Sequence, residues 1–148
     1  MLDLLLAIGH HLLIFGLAAI LTTEVVLVRP GMTGDDLRRV AAVDIWYGLV
    51  AGLIIVVGVA RLAFAAKGWA FYAHNPWFHA KMTAFLAVGL LSVYPTICYI
   101  KWNRARKAGG PPPADTALLL IRRLVLAQAA AFALIPVFAA AMARNLSF

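Results

Sequence analysis

The sequence predicts an all-α protein, an up-down four-helix transmembrane bundle whose N-terminus and C-terminus both lie on the non-cytoplasmic side. Three observations carry that reading. Hydrophobic residues make up 64% of the 148 and charged residues 13%, with a mean hydropathy of +0.92, whereas a soluble domain carries about 25% charged residues. The apolar residues gather in four stretches, each long enough at 1.5 Å per residue to cross a hydrocarbon layer of about 30 Å. The basic residues cluster at the ends of these stretches and divide unequally between the two sides. Four crossings of roughly 20 residues leave only short linkers, so residues 1–148 form a single integral membrane domain.

The first span is predicted over about 4–28 and stops at Arg29-Pro30-Gly31, where proline and glycine end a helix. Its start carries Asp3 in place of a basic region and shows no clear cleavage site, so it reads as a retained helix rather than a signal peptide. A polar linker with Asp35, Asp36, Arg38 and Arg39 leads to the second span, about 43–66. There Gly48, Ala51 and Gly52 are expected to let a neighbouring helix approach closely. The third span covers about 77–99, with Asn75 as N-cap, Pro76 as first helical residue and Pro95 as a site of bending. A basic linker containing Pro111-Pro112-Pro113 precedes the fourth span, about 116–143, which contains Pro136.

Orientation follows from the basic residues. Arg29, Arg38, Arg39, Lys101, Arg104, Arg106, Lys107, Arg122 and Arg123 fall on one side, against Arg61, Lys67, Lys81 and Arg144 on the other. The richer side is expected to be cytoplasmic. Trp69, Tyr72 and Trp77 then mark an outer aromatic belt, and Trp46, Tyr47, Tyr99 and Trp102 an inner one. The same segregation explains the net charge of +7 without nucleic acid. The single cysteine, Cys98, permits no internal disulfide and no Cys-x-x-Cys site.

Ionisable groups at membrane depth each cost about 2.5–3.5 kcal/mol on insertion scales, so each calls for a reason. Asp3, His10, Leu17 and Glu24 recur every seven residues and share one helix face, which favours His10 over His11 as the imidazole facing the core. His79 opens the third span with Met82 three residues on, while Lys81 lies on a different face and is expected to snorkel outward. The topology gathers His10, His11, His74 and His79 in one half of the bundle with Arg61, Lys67 and Lys81. Spans 1 and 3 run parallel and diagonal, so His10 and His79 would face each other as axial ligands of a haem, its propionates met by the basic residues. A membrane histidine can equally satisfy a backbone carbonyl of its own helix, and Glu24 and Asp44 can form a simple polar contact.

The stretches LAIGHHLLIFGLAAILTTEVVLVRP, YGLVAGLIIVVGVARL, KGWAFYAHNPWFHAKMTAFLAVGLLSVYPT and IPVFAAAMARNL resemble a bacterial family of small predicted membrane proteins across nearly the whole chain. A fainter likeness connects it with HemJ-type protoporphyrinogen oxidase and CopD-type copper-resistance membrane proteins. The HemJ-like features are a histidine early in span 1, His10 or His11, and Trp-x-His-x-Lys at Trp77, His79 and Lys81. That resemblance implies bound haem b.

The expectation is therefore a multi-pass protein of the bacterial inner membrane, holding haem b toward the periplasmic side through His10 and His79, with His11, Arg61 and Lys81 nearby. It would serve electron transfer or a porphyrin- or quinol-linked oxidation, with a quinone or redox protein as partner and self-association into a homo-oligomer. Copper handling, with His11, His74 and Met82 as further ligands, is one alternative. A cofactor-free membrane subunit or small carrier, using Glu24, His10 and Arg61 as a proton or substrate pathway, is the other.

Overall fold

The computed structural model describes residues 1–64 and 73–144. They form four long helices: α1 Leu2–Leu27, α2 Gly34–Ala63, α3 Pro76–Lys107 and α4 Asp115–Ala143. All four are long and apolar enough to cross a membrane. Lys67, Trp69 and Tyr72, assigned to the outer loop from sequence, lie outside the described residues.

Two helices run well past their apolar cores. α2 begins nine residues ahead of the expected 43, because a capping box starts it in the polar linker. The Thr33 backbone N–H donates to Asp36 Oδ2 at 3.0 Å, and the side chain of Thr33 caps the backbone in return. α3 continues to Lys107 instead of ending near 99, since nothing before Gly109 (φ +74°) breaks it. The Gly110 N–H then closes on the Ala105 carbonyl at 2.9 Å, and the prolines that follow cannot extend the helix. Hydropathy marks where lipid begins and ends; caps and breakers mark where the helix does. At the start of α3, Asn75 Oδ1 accepts from the backbone N–H of Trp77 at 3.0 Å and of Phe78 at 3.3 Å, with Pro76 in the first turn as expected.

The helices form a four-sided ring. α1 packs on α2 and α3 on α4 most extensively, with lighter α2–α3 and α1–α4 contacts and none across the diagonals. Spans 1 and 3 are thus diagonal, as the short connections require. The two linkers meet at one end, where the Gly31 N–H donates to Asp115 Oδ1 at 2.9 Å. We call this the linker end and the opposite one the termini end.

Each helix turns a stripe of alternating three- and four-residue spacing inward. On α1 it is Leu17, Leu21, Glu24 and Val28; on α2 Val40, Asp44, Tyr47 and Ile54; on α4 Leu118, Ile121, Val125, Gln128, Phe132 and Ile135, all buried. The outward faces are apolar as well, with Phe15, Val26, Val56 and Leu90 all strongly exposed. Such a surface is stable only against lipid.

Two sequence expectations fail on the same stripe geometry. Tyr47 and Tyr99 do not stand in an interfacial belt; both are buried in the core, Tyr99 to 1% exposure. Gly48 and Gly52 do not mediate helix contact either. Both are exposed, and a Cβ at either position would meet nothing within 4 Å. Of that trio only Ala51 packs against the core. Within the apolar part of α2 the close approach is at Gly58, where a Cβ would lie 3.5 Å from Cε1 of His10. Gly58 and Ala51 share the inward heptad, whereas Gly48 and Gly52 flank it.

Candidate functional site

Toward the linker end, all four helices deliver polar side chains into the apolar interior. α1 brings Glu24, α2 brings Asp44 and Tyr47, α3 brings Thr96 and Tyr99, and α4 brings Gln128. Glu24, Asp44 and Gln128 are buried to 2%, 7% and 1% exposure. The Thr96 hydroxyl donates to Asp44 Oδ1 at 2.8 Å, tying α3 to α2. Glu24 lies within electrostatic range of Asp44, and Tyr99 within range of both. The Tyr47 side chain neighbours Gln128 and Ser92. Several of these atoms have no hydrogen-bond partner among the described residues: Glu24 Oε1, the Tyr99 hydroxyl, and both the Oε1 and Nε2 of Gln128.

Among the described residues, no lysine or arginine forms an ion pair with either carboxyl. Among the described residues the ion pair is Arg29–Asp36, at 4.0 Å and largely exposed. The half-buried Arg122 guanidinium is directed elsewhere: Nη1 donates to the Val28 carbonyl at 2.7 Å, at the C-terminus of α1. Chemically the cluster offers two carboxyls, two phenols, a hydroxyl and a carboxamide, a set able to give and accept protons or to ligate a small cation.

The cluster has an opening. Between α2 and α3, where packing is light, lies a groove of about 600 Å³. Asp44, Thr96 and Tyr99 line its interior, Gly48 and Ile45 its lipid-facing wall, and Arg104 and Lys107 its rim toward the linker end. On the other side, Leu17, Ile54, Val88 and Phe132 form buried apolar layers between the cluster and the termini end.

The sequence-selected residues lie at the termini end and behave differently from one another. His10 is half-buried and turned against Gly58 of α2, with its Nδ1 buried and without a partner among the described residues, consistent with the heptad stripe through Leu17 and Glu24. Asp3, at the start of that stripe, is exposed. His11 is exposed, and its Nδ1 lies 2.6 Å from the Ala7 carbonyl of its own helix. His79 is also exposed, its Nε2 2.9 Å from the Ala73 carbonyl, and Met82 is exposed on the same face. His74 is exposed in the turn before α3. His10 and His79 thus stand on diagonal helices that make no contact, one facing inward and the other outward. Among the described residues, no three His, Cys, Asp or Glu side chains converge as a metal site.

Lys81, expected from sequence to snorkel outward, reaches back toward the start of α3. It is half-buried, with Nζ 5.2 Å from the ring centroid of the buried Phe78, a cation–π contact that holds it against the bundle. Arg61 is half-buried too, with its Nε enclosed.

Sequence reasoning passed over Gln128, Thr96 and Tyr99 as site residues. The available signal was a lone carboxamide in the middle of the otherwise apolar stripe of α4. On its own it looks like a tolerated polar residue, because its meaning depends on which helices surround it.

A family model described as a predicted membrane protein, DUF2214, matches residues 2–147. No curated protein and no solved structure matches the chain. Since the match spans nearly every residue, and the four apolar helices agree with its description, the chain belongs to the DUF2214 family of predicted membrane proteins.

Proposed function

We propose that the protein is a small carrier of the bacterial inner membrane in which the Glu24–Asp44 cluster takes up and releases a proton or small cation. The observation that carries this reading is the pair of carboxyls from separate helices, buried at membrane depth without a basic partner among the described residues. Each intramembrane charge costs about 2.5–3.5 kcal/mol, and two neighbouring negative charges in a low dielectric repel one another. A closed site therefore holds a proton or cation, and gives it up when water reaches the carboxyls. The groove at Asp44 would supply that access from the linker end, the side that the excess of basic residues leads us to expect in the cytoplasm. The apolar layers around Leu17 and Phe132 seal the other direction, as expected of one state of a carrier that exposes its site to each side in turn. Thr96 would orient Asp44, and Tyr47, Tyr99 and Gln128 would supply the hydrogen bonds that change as the proton moves.

Reconstitution tests this directly. Vesicles enclosing a pH-sensitive dye should acidify faster with the protein than without it when a potassium diffusion potential is imposed. Glu24→Gln or Asp44→Asn should reduce that rate about tenfold or more. Flux equal to protein-free vesicles, or full flux in both variants, would rule the reading out.

A second reading is favoured by one feature, the buried and unpartnered Nδ1 of His10 beside Arg61 and Lys81. It is a b-type haem protein exchanging electrons with a quinol or a redox protein, as the HemJ-like motif implies. The residues present fit one axial ligand. His79 would have to leave the Ala73 carbonyl and turn inward to provide the second. A Soret band in the purified protein that shifts in His10→Ala would support it, and a featureless visible spectrum would end it.

A further inference from the structure

The termini end of the bundle gathers positive charge that nothing in the described chain balances. Arg61 of α2 and Lys81 of α3 are both half-buried. One turn before Arg61, Gly58 brings α2 against the imidazole of His10 on α1, with 3.5 Å between a Cβ built there and Cε1. Arg61, three residues on from Gly58, lies on the same face of α2 as that contact, and Lys81 stands near the start of the adjacent α3 at the same end of the ring, within electrostatic range of Arg61.

Basic residues near a membrane boundary ordinarily extend their head groups outward to water and lipid phosphate. These two do not. Arg61 Nε is enclosed, and Lys81 Nζ lies over the ring of buried Phe78. Among the described residues neither lies within ion-pairing distance of a carboxylate, the ion pair present being Arg29–Asp36 at the opposite end. The whole sequence has six acidic residues, and by topology only Asp3 falls at this end, exposed in the first turn of α1.

Two like charges drawn together in a low dielectric without a counter-ion are costly. An anion seated between them removes that cost. The donor set suits one chemistry in particular. A guanidinium offers a planar fork of N–H groups, an ammonium adds a mobile donor, and an imidazole adds one more, so carboxylate or phosphate oxygens find several charge-assisted partners. We propose that Arg61, Lys81 and His10 form a binding site for a small anion of the carboxylate or phosphate class. This site is independent of the carboxyl cluster, from which the apolar layers around Leu17 and Phe132 separate it.

The test uses the full chain purified in a neutral detergent, at constant ionic strength set with potassium chloride. Inorganic phosphate and succinate are titrated separately while the thermal midpoint is read. A saturable rise is expected with at least one of them. The half-saturating concentration should increase tenfold or more in Arg61→Gln and in Lys81→Gln, and stay unchanged in Arg144→Gln, an exposed arginine at the same end. A parallel series compares nanodiscs of phosphatidylglycerol with nanodiscs of phosphatidylcholine. Stabilisation by the anionic lipid alone, lost in the same two variants, would assign the anion to a lipid headgroup rather than a free solute. An absent or non-saturable effect of all three anions, or an equal effect in wild type and both variants, overturns the proposal. Should a variant fail to fold, the phosphorus resonance of free phosphate decides on the wild type. Broadening by the protein that succinate reverses supports the site if phosphate stabilises in the first assay, and no broadening in that case refutes it.

Discussion

Arg122 offers the most direct energetic test of how the bundle is joined at its linker end. α1 has no basic residue in its last turn, and its C-cap, Val28, is fully buried. The Val28 carbonyl is one of the groups a helix terminus leaves without an internal partner. The half-buried Arg122 of α4 supplies the partner at 2.7 Å and places a positive charge at the negative end of the helix dipole. A hydrogen bond to a charged group contributes about 1.5–3 kcal/mol, and a cation at a helix C-terminus about 0.3–1 kcal/mol. Partial exposure of the guanidinium favours the lower part of these ranges, so Arg122→Met is expected to cost about 2 kcal/mol. For a chain of this size, 1 kcal/mol shifts the thermal midpoint by roughly 2–4 °C, giving an expected drop of about 4–8 °C in detergent. Arg123 is the internal control, being adjacent in sequence and exposed. Arg123→Met should stay within about 0.5 kcal/mol of wild type, the usual range for a surface change. Reversible denaturation in mixed micelles would measure both variants and Arg122→Lys, which keeps the charge but loses the fork. Equal stability of Arg122→Met and Arg123→Met would refute the argument, because it would mean the Val28 carbonyl needs no partner from α4.

Two further expectations concern packing and topology. Gly52→Leu should leave the thermal midpoint unchanged or raise it, since a side chain there meets open space and glycine disfavours helix by about 1 kcal/mol relative to alanine; a loss of several degrees would show that the exposed face of α2 is an interface after all. Alkaline phosphatase fused within residues 108–114 should be inactive and fused within residues 65–72 active, and the reverse result would invert the orientation inferred from the basic residues.

The number of spans and their apolar character were legible because lipid imposes a uniform demand. Every residue facing hydrocarbon must be apolar, and every backbone group must be satisfied within its own helix, so each stretch announces itself without reference to its neighbours. Local chemistry was equally readable where it is confined to a few consecutive residues. Asn75 and Pro76 start α3 as their types require, and the heptad through Leu17 and Glu24 correctly turns His10 inward and leaves His11 on its own helix. Sequence alone could not say which neighbours a side chain would meet. Tyr47 and Tyr99 have the composition of belt residues, and Gly48 and Gly52 that of a contact face. Only the rotation of α2 and α3 against their partners puts the tyrosines in the core and the glycines toward lipid. The same holds for the site. Glu24, Asp44, Thr96, Tyr99 and Gln128 are scattered over four helices, and His10, Arg61 and Lys81 over three. Sequence determined that these groups lie at membrane depth and therefore need partners; the tertiary structure alone decided which ones share an environment, because convergence depends on the azimuth of each helix in the ring, and no local pattern encodes that angle.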